Sequence, residues 1–354
     1  MNHIIFIAKG CPNLIKSAGD IRALNLLRLL REKYDVSVIS NSADYGEGDV
    51  KSIGCQSFLT GNVAGIIKQL VNEKPTNLII ISHWSIAATY LDSIRQVTNA
   101  KIIIDTIDIE FLRLQRKHDL VGEEKYAQWC VDNVKEKELA IYHRADALIV
   151  TAEQDKTELD KHASFNIIQY PCIFEVNQSE IELNTKKTYT ICNWIHEPNV
   201  LATVWLLEKV IPYVDVEFYT VGKHVPESVA KFGSEKVIIH GAEYEIKKFL
   251  RDKSICLAEV LWGAGMNGKV GEALGYGIPV VTTDYGANPY GLTHGENVMI
   301  AHNEHEFIEH VKNLLVDKDL RSKLSKNGKI LIREKYTNDC WRKSTHDFIH
   351  TIGA

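Results

Sequence analysis

The chain has no C-x-x-C pair, and its cysteines (Cys11, Cys55, Cys130, Cys172, Cys192, Cys256 and Cys340) are scattered and odd in number. That spacing argues against a disulfide framework and a zinc site and fits reduced thiols in a cytosol. An excess of positive charge is missing too. With 41 basic against 46 acidic residues the formal charge is −5, which does not suit a general nucleic-acid or anionic-membrane binder. No apolar run reaches membrane-spanning length, and the amino terminus enters an apolar strand with no basic leader or small-residue cleavage site. The expectation is a cytoplasmic protein with at most peripheral membrane contact. Internal repeats and low-complexity tracts are absent as well. What is present, 45% hydrophobic and 25% charged residues over 354 positions, is the composition of a soluble globular protein, and the length favours two domains.

The stretch from Trp262 to Val281 carries the strongest chemical signal. Gly263, Gly265 and Gly268 precede a short helical pattern, and Pro279, Val280 and Val281 follow it. Glycines ahead of a helix let a ligand approach the backbone closely, and the helix start offers unpaired N–H groups and a positive dipole end to an anion. With Asn267 as N-cap, Lys269 falls in the first turn and Glu272 three residues on, so both project from one helix face. A nucleotide diphosphate sugar supplies an anionic centre for Lys269 and ribose hydroxyls for Glu272, and neither side chain requires a metal. The plainer alternative is a solvated i,i+3 ion pair beside a glycine loop.

Short apolar runs alternate with helical spacing along the first half, as in a parallel sheet wound with helices. Residues 3–8, 36–40, 78–82, 101–108 and 145–151 read as strands, and 66–71 and 123–144 as helical. After the first strand comes a polar loop, 9–18, and then Gly19-Asp20-Ile21-Arg22 opens a helix carrying Leu24, Leu27 and Leu30. Ligands in such sheets bind beyond the carboxyl ends of strands, so Gly19 and the helix-start amides are candidates to face a sugar, its phosphate or an acceptor. The alternative is a capped helix with an Asp20–Arg22 surface patch. His83 and Trp84 follow a strand directly, and His83 is a secondary candidate. Asp105 and Asp108 end another strand, with Glu110, Arg113 and Arg116 at helical spacing. Either aspartate could bond sugar hydroxyls or an incoming hydroxyl, and the arginines could take an anionic acceptor group. An Asp–Arg network closing the loop is the alternative.

Periodicity lapses over 171–187, which sets the domain boundary. The alternation then resumes with strands at 188–192, 216–221, 237–241 and 255–260. Asn193 to Asn199 open a helix with Pro198 in its first turn, and His196 either reaches a ligand or caps that helix. Gly222 and Lys223 leave a strand on the rim expected for Lys269, which makes Lys223 a second candidate for a diphosphate. Residues 282–287 read as a further strand-to-loop exit, 304–329 as helical, and 338–352 as a final helix.

The segments GAGMNGK at 263–269 and EALGYGIPVVTT at 272–283 resemble the donor site of nucleotide-sugar glycosyltransferases of family four (glycosyl transferases group 1). SAGDIR at 17–22, the Asp105-to-Arg116 segment and the His-x-Pro-Asn turn at 196–199 are similar to further parts of that family. The resemblance implies the α/β GT-B fold: two Rossmann-like, doubly wound parallel-sheet domains facing a cleft. They would be an acceptor-side domain at 1–171 and a donor domain at 172–335, with 336–354 a helix crossing back to the first. It further implies retaining, metal-independent hexosyl transfer from a UDP- or GDP-linked sugar, with no other cofactor. The acceptor would be a glycan or a lipid-linked or protein-linked group, in polysaccharide or glycoconjugate assembly. Lys269, Asp105, Asp108 and His196 are then the catalytic candidates. Gly19, Gly222, Lys223, Gly265, Gly268, Lys269 and Glu272 are the donor-binding candidates, with Glu272 on ribose and Lys269 near the diphosphate. The chain also departs from the family. Carboxylates stand where many relatives carry a histidine near Asp105, Glu259 and Leu261 replace a proline and an arginine, and Ala264 replaces a glutamate. Those departures keep a degenerate GT-B subunit that stabilises a partner transferase as an alternative. A nucleotide-sugar 2-epimerase is disfavoured by the motif order of the second domain.

Overall fold

A strand that is apolar at nearly every position needs cover on both of its faces, and the first strand has it. In β1 (His3–Gly10) the first six residues are buried. The computed structural model describes residues 2–353 apart from 15–16, 43–46, 180 and 244, so Ile15 and Lys16 of the 9–18 loop lie outside the described residues. The chain forms two compact units, Met1–Ile173 with Asn338–Ala354, and Phe174–Thr337.

Among the described residues of the first unit, β1, β2 (Asp35–Ser42), β3 (Gln56–Leu59), β4 (Thr76–Ser82), β5 (Lys101–Asp105), β6 (Ala147–Val150) and β7 (Ile167–Gln169) form one sheet. Its order is β3-β2-β1-β4-β5-β6-β7, with all pairings parallel. Side chains alternate between two cores, as the twofold strand period requires. Ile4, Phe6, Val38 and Ile80 enter one core, where Leu24, Leu27 and Leu30 of the helix Ala18–Arg31 and Ile349 of the helix Asn338–Ile352 cover them. Ile5, Ile7, Ile79 and Ile104 enter the other, under Ile67 and Leu70 of Val63–Glu73 and Leu91 and Ile94 of Trp84–Arg95. The final helix is tied into this unit where His346 Nε2 meets the Leu29 carbonyl at 2.8 Å.

The second unit repeats the plan with β8 (Lys187–Ile191), β9 (Glu217–Val221), β10 (Val237–Gly241), β11 (Ile255–Ala258), β12 (Val280–Thr282) and β13 (Met299–Ile300). Their order is β10-β9-β8-β11-β12-β13, again parallel throughout. Winding reverses between β1 and β4 in one sheet and between β8 and β11 in the other. Ligand crevices in such sheets open at those points, beyond the carboxyl ends of the strands. The doubly wound α/β class expected from the sequence is therefore present in both units.

Three local expectations change. The strand expected over 101–108 stops at Asp105, because Ile107 turns the chain at φ 63. The helix expected over 123–144 is Gln128–Tyr142; Gly122 (φ 80) ends the preceding helix Glu110–Val121, and a turn separates the two. After β12 the chain enters a short helix, Asp284–Ala287. All the cysteines are free thiols. Among the described residues, no helix is long and apolar enough to cross a membrane.

Candidate functional site

At the carboxyl end of β11, Gly265 (φ 63) turns the chain ahead of the helix Gly268–Tyr276. Asn267 occupies the N-cap position with extended backbone (φ −83, ψ 106), but its side chain makes no capping bond. The Lys269 N–H, at the second helical position, thus lacks the side-chain acceptor that an N-cap residue commonly supplies, while the Val270 N–H bonds the Asn267 carbonyl at 3.1 Å. Tyr290 holds the helix start from the side instead: its hydroxyl donates to the Asn267 carbonyl at 2.8 Å and accepts from the Gly271 N–H at 3.2 Å. The helix lies tightly on the chain entering the unit. A Cβ on Gly271 would sit 2.3 Å from the Phe174 ring, and one on Gly275 would sit 2.4 Å from the Glu175 carbonyl oxygen. Gly277, in the left-handed region at φ 77, ends the helix and returns the chain to β12.

This packing carries Lys269 inward, to 8% exposure, with Nζ 3.9 Å from Cys192 Sγ at the end of β8. Lys269 therefore spans the switch point between β11 and β8. Among the described residues it forms no ion pair with Glu272, so the solvated i,i+3 pair is not what the chain builds. Burial pushes the Glu272 carboxyl up to about 7. Glu259, 3% exposed at the end of β11, is pushed by burial up to about 8 against the opposing pull of Lys269. The Cys256 thiol is pushed up to about 12 by burial, again against Lys269. A buried ammonium whose neighbouring acids are driven toward their neutral forms is a place for an anion.

The other donor-side candidates lie at neighbouring strand ends. A Cβ on Gly222 would come within 2.2 Å of the Cys192 carbonyl oxygen and 2.4 Å of Trp194 Nε1, so glycine there lets the ends of β8 and β9 close together. Lys223 follows it, exposed, in the turn after β9. His196 takes the N-cap position of the helix Glu197–Lys209, but its side chain makes no cap bond and is exposed. Cys192, which meets Lys269, carried no sequence signal beyond its place at a strand end.

In the first unit the Ser17 hydroxyl caps the helix Ala18–Arg31 by accepting from the Asp20 N–H at 3.1 Å. A Cβ on Gly19 would meet only ordinary contacts, 3.6 Å from Ile107 and from Ser17, so nothing in the packing demands glycine there. Arg22, expected in a surface patch with Asp20, is instead 1% exposed. Its Nη1 donates to both Asp105 oxygens at 2.8 Å, and its Nε donates to the Tyr170 carbonyl at 2.8 Å. Asp105 is accordingly a fully buried counter-ion, both oxygens facing Arg22, and not an open rim carboxylate. Asp108 accepts from Arg113 Nε at 3.0 Å, and Arg113 also meets Glu110 at 3.2 Å. This is the Asp–Arg network that closes the loop around the strained Ile107.

His83 (φ 78) begins the helix Trp84–Arg95, its Nδ1 accepting from the Ser85 N–H at 3.3 Å. Its Nε2 is left 3.9 Å from Glu110, and burial lowers its pKa. Trp84 Nε1 donates to the same carboxylate at 2.8 Å. Glu138, fully buried, accepts from the N–H groups of Glu110 at 3.0 Å and Phe111 at 2.8 Å and from the Tyr142 hydroxyl at 2.7 Å. Sequence reasoning missed Arg22 and Glu138 as structural residues. Arg22 was detectable, since it lies at i−4 and i−7 from Leu26 and Leu29 on the apolar helix face. Glu138 sits in a charged run, and only its i+4 relation to Tyr142 pointed inward. Among the described residues, no group of three or more His, Cys, Asp or Glu side chains is placed to hold a metal ion.

Residues 186–317, within the second unit, match the family described as Glycosyl transferases group 1. No curated protein matches the chain by sequence. Among solved structures, sucrose-phosphate synthase from Thermosynechococcus elongatus is similar at 14% identity and TM-score 0.78, covering 99% of each chain. HepE from Anabaena, in complex with UDP-glucose, is similar at 12% identity and TM-score 0.76, also with 99% of each chain covered. A TarM variant from S. aureus, in complex with fondaparinux, alpha-GlcNAc-glycerol and UDP, is similar at 12% identity and TM-score 0.74 over 99% of each chain. At these identities the likeness establishes the fold, which is GT-B.

Proposed function

We propose that this chain, with its GT-B fold and its glycosyl transferases group 1 segment, transfers a hexosyl unit from a nucleotide diphosphate sugar to a glycan or glycoconjugate hydroxyl. The observation that carries the reading is Lys269: a buried ammonium at the uncapped start of the helix Gly268–Tyr276, at the switch point of its sheet, with Glu272 one turn further along. A diphosphate supplies the anion that Lys269 lacks, and the first-turn N–H groups share its charge. In this reading Glu272, one turn along the same helix, bonds the ribose hydroxyls. UDP is the favoured nucleotide, because HepE and TarM were both solved with UDP or a UDP-sugar.

In the reaction the sugar C1–O bond to the diphosphate breaks and a bond from C1 to the acceptor oxygen forms. The acceptor proton passes to an oxygen of the departing diphosphate, so no dedicated side-chain base is required. That route delivers the acceptor on the face the leaving group occupies, and the configuration is retained. Lys269 stabilises charge that grows as the bond breaks, with Lys223 and His196 as further cationic candidates at neighbouring strand ends. Asp105 is withdrawn from this scheme by its pairing with Arg22. Asp108 stays at the rim of the first unit as an acceptor-side candidate, as does Gly19. The cytoplasm, where nucleotide sugars are made, is the compartment this reading favours.

Titrating UDP and GDP into wild type and Glu272→Ala by calorimetry tests the donor site. Loss of a charged hydrogen bond should weaken the better nucleotide by about 1.5–3 kcal/mol with no change in fold. Equal affinity in the two proteins would remove Glu272 from the site, and no binding of either nucleotide to wild type would end the donor reading.

A further inference from the structure

Beyond the ends of β8 and β11 the second unit brings two nucleophilic side chains together, and the transfer scheme above uses only one of them. Lys269 Nζ lies 3.9 Å from Cys192 Sγ. The same sulfur meets the Thr203 hydroxyl at 3.3 Å and the Thr190 hydroxyl at 4.0 Å. A buried cysteine that serves packing behaves as a small apolar side chain. Cys192 instead faces an ammonium and two hydroxyls, the kind of electropositive, polar setting in which thiols react, since the thiolate is the nucleophile. Its backbone is also fixed. The Cys192 N–H donates to the Val221 carbonyl at 2.8 Å, and its own carbonyl oxygen would lie 2.2 Å from a Cβ on Gly222. Lys269 reaches the sulfur from a separate element on a flexible four-carbon stem, so its amine can close the remaining gap without moving either backbone.

Other buried cysteines differ. Burial pushes the thiols of Cys55 and Cys172 up to about 11 and that of Cys256 up to about 12. Cys256 has no exposure at all, whereas Cys192 and Lys269 keep 5% and 8%, so solvent reaches both partners of the pair. We propose that Cys192 and Lys269 form a modification site, at which hydrogen peroxide or another hydroperoxide joins them in a reversible sulfenamide and so removes the ammonium. In the first step the Cys192 thiolate attacks the peroxide: an S–O bond forms as the O–O bond breaks, leaving a sulfenic acid and water. The Lys269 amine, having released a proton, then attacks the sulfur. The S–N bond forms, the S–O bond breaks, and the hydroxyl leaves as water. In sum a thiol, an ammonium and hydrogen peroxide give the S–N bond, two waters and a proton, with sulfur oxidised and peroxide reduced. Two equivalents of an external thiol reverse the step, restoring Cys192 and Lys269 and departing as a disulfide. While the bond lasts, the site loses its cation. That consequence for transfer rests on the donor reading above, and the bond itself does not.

The test is mass spectrometry of the full chain after treatment with hydrogen peroxide, remaining thiols being alkylated before digestion. Wild type should yield a peptide pair joined through Cys192 and Lys269, lighter than the two reduced peptides by two hydrogens, and dithiothreitol should abolish it. This reading needs no variant to fold. In Lys269→Arg, whose guanidinium stays protonated and attacks poorly, the yield of linked Cys192 should fall about tenfold or more. Cys192 left reduced while the exposed Cys340 is oxidised overturns the proposal, as does Cys192 oxidised without a link to Lys269 or linked with any other mass. Where wild type turns over a sugar nucleotide, the same treatment should lower its turnover about tenfold or more relative to treated Cys192→Ser, each compared with its own untreated rate, and dithiothreitol should restore it. Equal losses in the two would overturn the control of transfer. Where wild type turns over no sugar nucleotide and binds no UDP, the donor reading fails, and the linked peptide alone decides the modification.

Discussion

Lys269 and Arg22 are both buried cations near the carboxyl ends of strands, and they differ in what meets them. Arg22 faces Asp105 at 2.8 Å, whereas among the described residues the Lys269 ammonium is hydrogen-bonded only to the Cys192 sulfur, at 3.9 Å. The first arrangement is structural and the second is open to a ligand. Replacing Arg22 by Met strands the Asp105 carboxylate in the core, which should cost about 3–5 kcal/mol of stability. Lys269→Met removes a buried charge that forms no ion pair among the described residues, so its stability should equal or exceed that of wild type. Urea denaturation of both variants checks the contrast, and similar losses in the two would refute it. The sequence made Lys269 and Glu272 legible because glycines and a helix start frame them. It misplaced Arg22 because a charged residue near a polar loop reads as surface until its spacing with the leucines is weighed.

At the scale of elements, the interior strands and the edge strand β10 were legible and the other edges were not. β1, β4 and β11 are continuous apolar runs, but β3, β7 and β13 are short and partly exposed, so their sequences carry no run to detect. The helix Gly268–Tyr276 was legible in position, and the reason for its inner glycines was not. Gly271 and Gly275 serve close packing against Phe174 and Glu175, a tertiary fact that spacing cannot reveal. Gly275→Ala should therefore destabilise by about 1–3 kcal/mol despite alanine's better helix propensity, since the obstacle is a backbone oxygen 2.4 Å away. Gly263→Ala, whose nearest neighbour would be 3.9 Å off, should stay within about 0.5 kcal/mol. Thermal melts of both variants measure the difference, and equal melting temperatures would contradict this account of the helix.

For the whole molecule, buried acids set a pH dependence. Glu138 in the first unit and Glu259 and Glu272 in the second have carboxyls raised to about 7, 8 and 7 from an ordinary 4.5. Each raised group binds more protons folded than unfolded over that interval, so its contribution is full below pH 4.5 and is lost as pH rises through the folded value. Histidines whose pKa is lowered, such as His3 at about 4, act in the opposite sense, so the clean observable is a difference between proteins. Stability of wild type relative to Glu259→Met should fall as pH rises from about 4.5 to 8. A flat difference would show that Glu259 is not buried in solution as described. The central claim is that Lys269 stabilises a diphosphate as it departs, and turnover by the full chain tests it most directly. Nucleoside diphosphate release should be followed with a sugar nucleotide and acceptor that wild type turns over, in wild type, Lys269→Ala and Lys269→Arg. The account predicts a kcat on the order of a hundredfold lower or more in the alanine variant, with donor KM little changed and only partial rescue by arginine. A wild-type kcat in Lys269→Ala would contradict it.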